Sequence, residues 1–419
     1  MKINAVLISH PLLWRGLGRL LNLILAGLLV FSSTAFAQNE QKPRQNKQYN
    51  MAQATSERAQ LHTVAFSGLA FMTGNFGADT FFPPGKVADF FGFQYMRDND
   101  QNEKGHNTDF LTRIANNVIA ILTPEQLQKL KDLADKQAPV YDAFAMKRMI
   151  LIKAFRTCLE TGKELNKAEV IKFGADLYGL DAELSYNRAV VVGSVINSLS
   201  SEQKAALAKL QFGNSASWPI LPENLDKRSL SHRAHVAVMT YASELFSWYA
   251  GSLEADVYFC PERHGTYFGG FYMKDFPAMG NHDYSISTSL TGDAGRDFIT
   301  TLNPTQAESL SETMRKQAPL LSEIVKIREA VSKELRKAMT NGKPDKEKVY
   351  SLIKRYGELD VEMSYYEANS FSLIYKSLTD SQKQKLIHIR NQNVLPQGAY
   401  LYSDPISFNE IQNTENLIK

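Results

Sequence analysis

Cysteine is nearly absent: Cys158 and Cys260 are the two in 419 residues. Two thiols exclude a disulfide framework and allow at most one bridge; the plain alternative is a pair of small, partly buried side chains. An excess of charge is missing as well. The formal net charge of +3 rests on Lys2, Arg15 and Arg19, and without them the basic side chains equal the 44 acidic ones in number. A balanced chain lacks the long-range field that phosphate-tracking proteins need, and no basic stripe restores it locally, so nucleic acid is not an expected partner. Walker, GxGxxG, HExxH, CxxCH and GxSxG motifs are absent, and no Ser can be tied to a His base by spacing. No catalytic residue is singled out, and the reading leans away from an enzyme.

Long apolar runs are confined to the N-terminus. A basic segment ending at Arg19 precedes the apolar stretch Leu20 to Phe31, then Ser32, Ser33, Thr34 and Ala35-Phe36-Ala37. This is the layout of a secretory signal peptide cut near Ala37, and the apolar core is short of the roughly 20 residues a spanning helix needs. The expectation is a periplasmic or secreted protein with no stable membrane span after processing. The polar stretch that follows lacks hydrophobic periodicity and reads as a flexible leader.

What the chain does have is ordinary globular composition, 44% hydrophobic and 22% charged, and internal likeness at a spacing near 180 residues. Asp79 to Asp98 lies against Asp256 to Asp275, with Asp79, Phe82, Pro84, Phe91, Gly92, Tyr95, Met96 and Asp98 recurring in register. Lys136-Gln137-Ala138-Pro139 recurs as Lys316-Gln317-Ala318-Pro319, and Asp181 to Tyr186 as Asp360 to Tyr365. Helical spacing of apolar residues dominates both copies, and no series of alternating strands appears. The expected fold is all-α: two tandem homologous helical domains, each with an aromatic, Pro- and Gly-rich loop element. The expected ranges are a signal peptide at 1–37, a leader at 38–61, domains at 62–213 and 235–395, a linker at 214–234 and a C-terminal tail at 396–419.

Four strings mark helix starts: Leu122-Thr123-Pro124-Glu125-Gln126, Leu199-Ser200-Ser201-Glu202-Gln203, Leu302-Asn303-Pro304-Thr305-Gln306 and Leu378-Thr379-Asp380-Ser381-Gln382. Each sets a capping side chain three residues before a Gln, the capping-box spacing, and Pro124 and Pro304 fall at the first helical position. As punctuation of a bundle the strings need no function. In an exported helical chain they also resemble the LTxxQ family of periplasmic proteins, which includes the Spy and CpxP chaperone-like stress proteins and a zinc-responsive relative. That resemblance implies a helical, often homodimeric cradle that holds unfolded proteins or metal. The tandem size and the aromatic element depart from it.

The aromatic elements supply the candidate ligand-binding residues Phe82, Phe91, Tyr95 and Arg97, with Phe259, Phe268 and Tyr272 in the second copy; aromatics beside Gly either pack a loop on a bundle or line an apolar small-ligand pocket. A histidine follows each element. A neutral imidazole beside carboxylates can bind a divalent metal, which nominates Asp98, His106 and Asp109, and Asp275, His282 and Asp283. The calcium-loop spacing from Asp98 to Asp109 fails, since Glu103 stands where the turn requires Gly. Glu183 and Glu362 are expected to meet Arg148 and Arg328 in structural ion pairs between helices. The leading reading is an exported helical binding or chaperone-like protein acting without catalysis. The alternative is a metal-binding protein or metal-dependent enzyme.

Overall fold

Thr123, Ser200 and Asn303 each open a helix in the computed structural model of the chain, and each closes a full capping box with the Gln three residues on. Thr379 and Gln382 exchange the same two bonds, at 3.0 and 3.2 Å. The structure describes residues 57–73, 109–210, 217–226, 228–250, 289–392 and 412–418. Among them lie helices α1 Glu57–Thr73, α2 Asp109–Ile119, α3 Pro124–Thr161, α4 Lys167–Asn197, α5 Ser201–Ala208, α6 His232–Ala250, α7 Ser289–Thr301, α8 Pro304–Leu335, α9 Lys346–Ser377 and α10 Asp380–Gln392. No strand occurs among the described residues, so the fold is all-α. No helix among them is long and apolar enough to cross a membrane.

Helix α3 runs through Pro139, and α8 likewise contains Pro319. An interior proline costs a backbone bond, and the burial of Leu130, Leu133, Tyr141 and Phe144 on either side of Pro139 keeps the helix whole. It ends at Gly162, whose φ of 67° places it in the left-handed region; α8 passes into a 3₁₀ turn, Arg336–Thr340, closed by Asn341 at φ 58°.

The most extensive packing is between α4 and α9. Their approach is close enough that a Cβ on Gly174 would lie 2.2 Å from Val361, and one on Gly357 would lie 2.4 Å from Tyr178. Gly at these crossing points is therefore a packing requirement, and the rings of Tyr178 and Tyr356 sit 5.4 Å apart beside it.

Chain order and packing order differ at two helices. Helix α1 precedes the first set of helices, yet it packs mainly on α7 and α8, with further contact to α9 and α10. Helix α6 precedes the second set, yet it packs on α2, α3 and α4. Residues Gln48–Lys419 accordingly form one compact unit. Helices α2 to α6 make up a first half, and α7 to α10 with α1 a second. Within the stretch read as a linker, residues 217–226 are irregular but anchored. Trp218 is buried edge-on against Phe246 with centroids 4.5 Å apart, and Asn117 and Asn116 donate to the carbonyls of Pro219 and Leu221 at 2.8 and 3.2 Å. At the other end of the chain Ile418 is buried, and Lys153 donates to the Gln412 carbonyl at 2.8 Å.

Candidate functional site

The capping glutamines do more than start helices. Gln126 donates through Nε2 to the carbonyl and hydroxyl of Ser198, both at 3.1 Å, while Gln203 donates to the Ile121 carbonyl at 2.6 Å and to Gln126 Oε1 at 2.7 Å. Gln306 and Gln382 repeat the arrangement: Gln306 donates to the Ser377 carbonyl at 3.1 Å, and Gln382 to the Thr301 carbonyl at 2.9 Å and to Gln306 Oε1 at 2.8 Å. Each pair ties two helix starts and two helix ends into a single polar knot, with orphan end groups satisfied from outside their own helix.

The interior also holds a buried polar layer that no motif marks. In the first half Arg188 of α4 is fully buried and donates through Nη1 to Glu244 Oε1 of α6 at 2.9 Å. Burial pushes the Glu244 carboxyl up, with Arg188 opposing it, and burial would lower Arg188 but Glu244, Tyr141, Tyr241 and Asp181 outweigh it. Beside the pair, Gln137 donates to the Leu184 carbonyl at 2.8 Å and accepts from the Tyr241 hydroxyl at 2.7 Å. In the second half Gln317 donates to the Met363 carbonyl at 3.2 Å, and also to the carboxylate of Glu367 at 2.8 Å. At the 179-residue spacing Glu367 stands where the first half has Arg188. Such a layer is legible only as an Arg inside the apolar run of α4 and a Glu inside that of α6.

Openings lie beside this framework among the described residues. One is a cleft of about 560 Å³ between α4 and the turn that leads from α8 to α9. Tyr186, Val190, Ala338 and Pro344 give it apolar walls, and Ser194, Asn197, Ser198 and Asn341 bring hydrogen-bonding groups. Asn197 holds the turn by donating to the Ala338 carbonyl at 2.7 Å. The second is a pocket of about 340 Å³ between the start of α1 and α8, with Gln317 and Leu321 in its wall.

Most of the residues nominated from sequence are not among the described ones. Phe82, Phe91, Tyr95, Arg97, Asp98 and His106 lie outside the described residues, as do Phe259, Phe268, Tyr272, Asp275, His282, Asp283 and Cys260. Asp109 opens α2, and its side chain also lies outside them. No group of three or more potential metal ligands occurs among the described residues. Cys158 is a free, buried thiol that burial raises to about 11, with Asn369 Oδ1 3.4 Å away. Glu362 pairs with Lys167 at 2.7 Å and accepts from the Tyr366 hydroxyl at 3.0 Å, a contact from α9 to the start of α4 that the repeat pattern did not anticipate. Arg148 is buried, and the Arg328 side chain lies outside the described set.

No protein-family model, curated protein or solved structure matches the chain.

Proposed function

We propose that this chain is an exported, non-catalytic helical binding protein of chaperone-like kind, built by duplication of one helical unit and acting on unfolded protein segments. The observation that carries the reading is the 560 Å³ cleft beside α4. An extended segment offers apolar side chains and unpaired backbone groups in alternation. The cleft offers Tyr186, Val190 and Pro344 to the first, and Ser194, Asn197, Ser198 and Asn341 to the second. The resemblance of the four capping strings to the LTxxQ family supports the same reading, since that family implies a helical cradle for unfolded clients. The paired glutamines tie the helix ends together, which lowers the cost of ordering the frame on binding.

Light scattering from a chemically unfolded, aggregating model protein tests this, with the chain from Gln38 onward added in rising ratio. Suppression is expected at near-equimolar ratio and should weaken several-fold in Val190→Glu. Val190 is 38% exposed, so that variant should melt with the parent. Unchanged aggregation at large excess of the parent protein would overturn the reading.

A further inference from the structure

The pocket between α1 and α8 contains an acceptor that receives no hydrogen bond among the described residues. Gln317 is 3% exposed, and its Nε2 makes both of its hydrogen bonds, to the Met363 carbonyl and the Glu367 carboxylate. Both partners are acceptors, so the amide cannot be turned over, and Oε1 is the atom left for the pocket. Pro319 removes the amide that would bond to the carbonyl of Arg315, which also lines this pocket.

The first half shows what such a position takes. Gln137 makes the equivalent carbonyl contact, to Leu184, and its Oε1 receives the phenol hydroxyl of Tyr241 at 2.7 Å. Tyr241 is 1% exposed. At the spacing of the two copies, Val64 stands where α6 has Tyr241, and Leu321 where α3 has Tyr141. Ser322 likewise replaces Asp142, which in the first half is closed over by Arg233 through a guanidinium contact at 3.1 Å. Two phenol rings and a closing ion pair are thus exchanged for an aliphatic residue, a smaller aliphatic residue and a hydroxyl. What remains is a space of about 340 Å³ beside Met314 and Ala318, with Gln60 of α1 opposite.

We propose that this second-half pocket binds a small hydroxyaromatic molecule, a phenol by chemical class, whose hydroxyl donates to Gln317 Oε1 as Tyr241 donates to Gln137. The ring replaces the missing tyrosine side chain against Leu321 and the Met314 thioether, a favourable partner for an aromatic edge. The volume lies at the lower end of small-ligand sites, which suits a single ring. A missing donor makes the site selective: an aromatic of the same shape without a hydroxyl leaves the amide oxygen desolvated and unpaired. The inference is independent of client binding at the cleft, which lies beside α4 and shares no lining residue with this pocket.

Isothermal titration of the chain from Gln38 onward with 4-methylphenol, and separately with toluene, tests it. Saturable binding of one 4-methylphenol per chain is expected, with toluene about tenfold weaker or undetected. Leu321→Tyr restores the first half's ring and should abolish binding while the cooperative melt by circular dichroism is kept. Gln317→Met should reduce the preference for 4-methylphenol over toluene, and if it fails to fold, the ligand pair and Leu321→Tyr decide the matter alone. No saturable heat at millimolar 4-methylphenol, equal affinity for toluene, or undiminished binding in folded Leu321→Tyr would each overturn the proposal.

Discussion

The two halves are open in opposite places. In the first, the inner position over Gln137 is filled by Tyr241 and closed by Arg233 and Asp142, while the outer cleft beside Tyr186 and Val190 is open. In the second, the inner position over Gln317 is a pocket, while the place matching the cleft is filled. There Lys376 crosses to the Thr161 carbonyl at 2.7 Å, and Tyr365 donates to Glu164. A Cβ on Gly162 would lie 1.6 Å from Lys376 Nζ, which shows how tightly that side chain is laid in. The two backbones use the same capping boxes and the same Gln to carbonyl bonds. The difference therefore resides in a few side chains, and each can be exchanged to test it.

The largest effect is expected at the buried charge. Arg188 ties α6 to α4 through Glu244, both side chains being at most 2% exposed. Arg188→Met should cost about 3–5 kcal/mol in urea unfolding, because it strands the buried carboxyl of Glu244. Combining it with Glu244→Met should recover most of the loss. Equal stability of the single and double variants would show that the pair does not carry the contrast between the halves.

Next come the glutamine knots, where the halves should respond alike. Gln126→Leu and Gln306→Leu each remove the partner of a helix-end carbonyl and of a second glutamine. Losses toward the upper part of about 1–3 kcal/mol are expected, matched between the two positions. A difference of more than about 1 kcal/mol between them in denaturant midpoints would break the likeness of the two frames.

A smaller effect separates the halves again. Glu334 accepts from Lys337 at 2.6 Å and from the Asp345 amide at 2.9 Å, and Lys348 lies 3.0 Å away. At the 180-residue spacing the first half has Ala154 there. These partners, Lys337 first, hold the carboxyl at about 2, below its ordinary 4.5. A depressed folded value means that the stabilisation is present above the unfolded value and is lost as pH falls through the folded one. Glu334→Gln should therefore cost about 1–2 kcal/mol near neutrality. That difference should shrink below pH 4.5 and vanish near pH 2, as acid titrations of both proteins would show. A constant difference down to pH 2 would remove Glu334 as the pin of its turn.

Local chemistry was legible in the sequence and long-range pairing was not. Thr123, Ser200, Asn303 and Thr379 announce helix starts because the box closes within three residues. That Gln126 then meets Gln203, 77 positions on, depends on how α3 and α5 are brought together. A proline inside a helix costs a backbone bond by its local chemistry, yet tertiary burial carries α3 through Pro139. The placement of α1 on α7 and α8 was hidden for a different reason: chain order favours neighbours, and only apolar surface on both helices decides otherwise. Glu362 was paired by repeat logic with an arginine of its own copy, and the structure gives it Lys167 from the other half. Arg188 and Glu244 stand 56 residues apart, with no motif linking them.

The smallest stability effect sharpens the comparison most. Asn197 occupies the sequence position that Lys376 occupies in the second half. Asn197 reaches the Ala338 carbonyl at 2.7 Å, as Lys376 reaches that of Thr161, so Asn197→Lys retains a donor for the turn while adding length. The ammonium also meets the end of α4, where a cation is favoured by the helix dipole. The melt should therefore stay within about 0.5 kcal/mol of the parent. The added methylenes should lie along Val190 and Pro344 and close the cleft, so that suppression of client aggregation falls as far as in Val190→Glu. Were the variant to bind clients like the parent, the open cleft would not be what distinguishes the first half in function, and the surface sought would lie on another part of the chain.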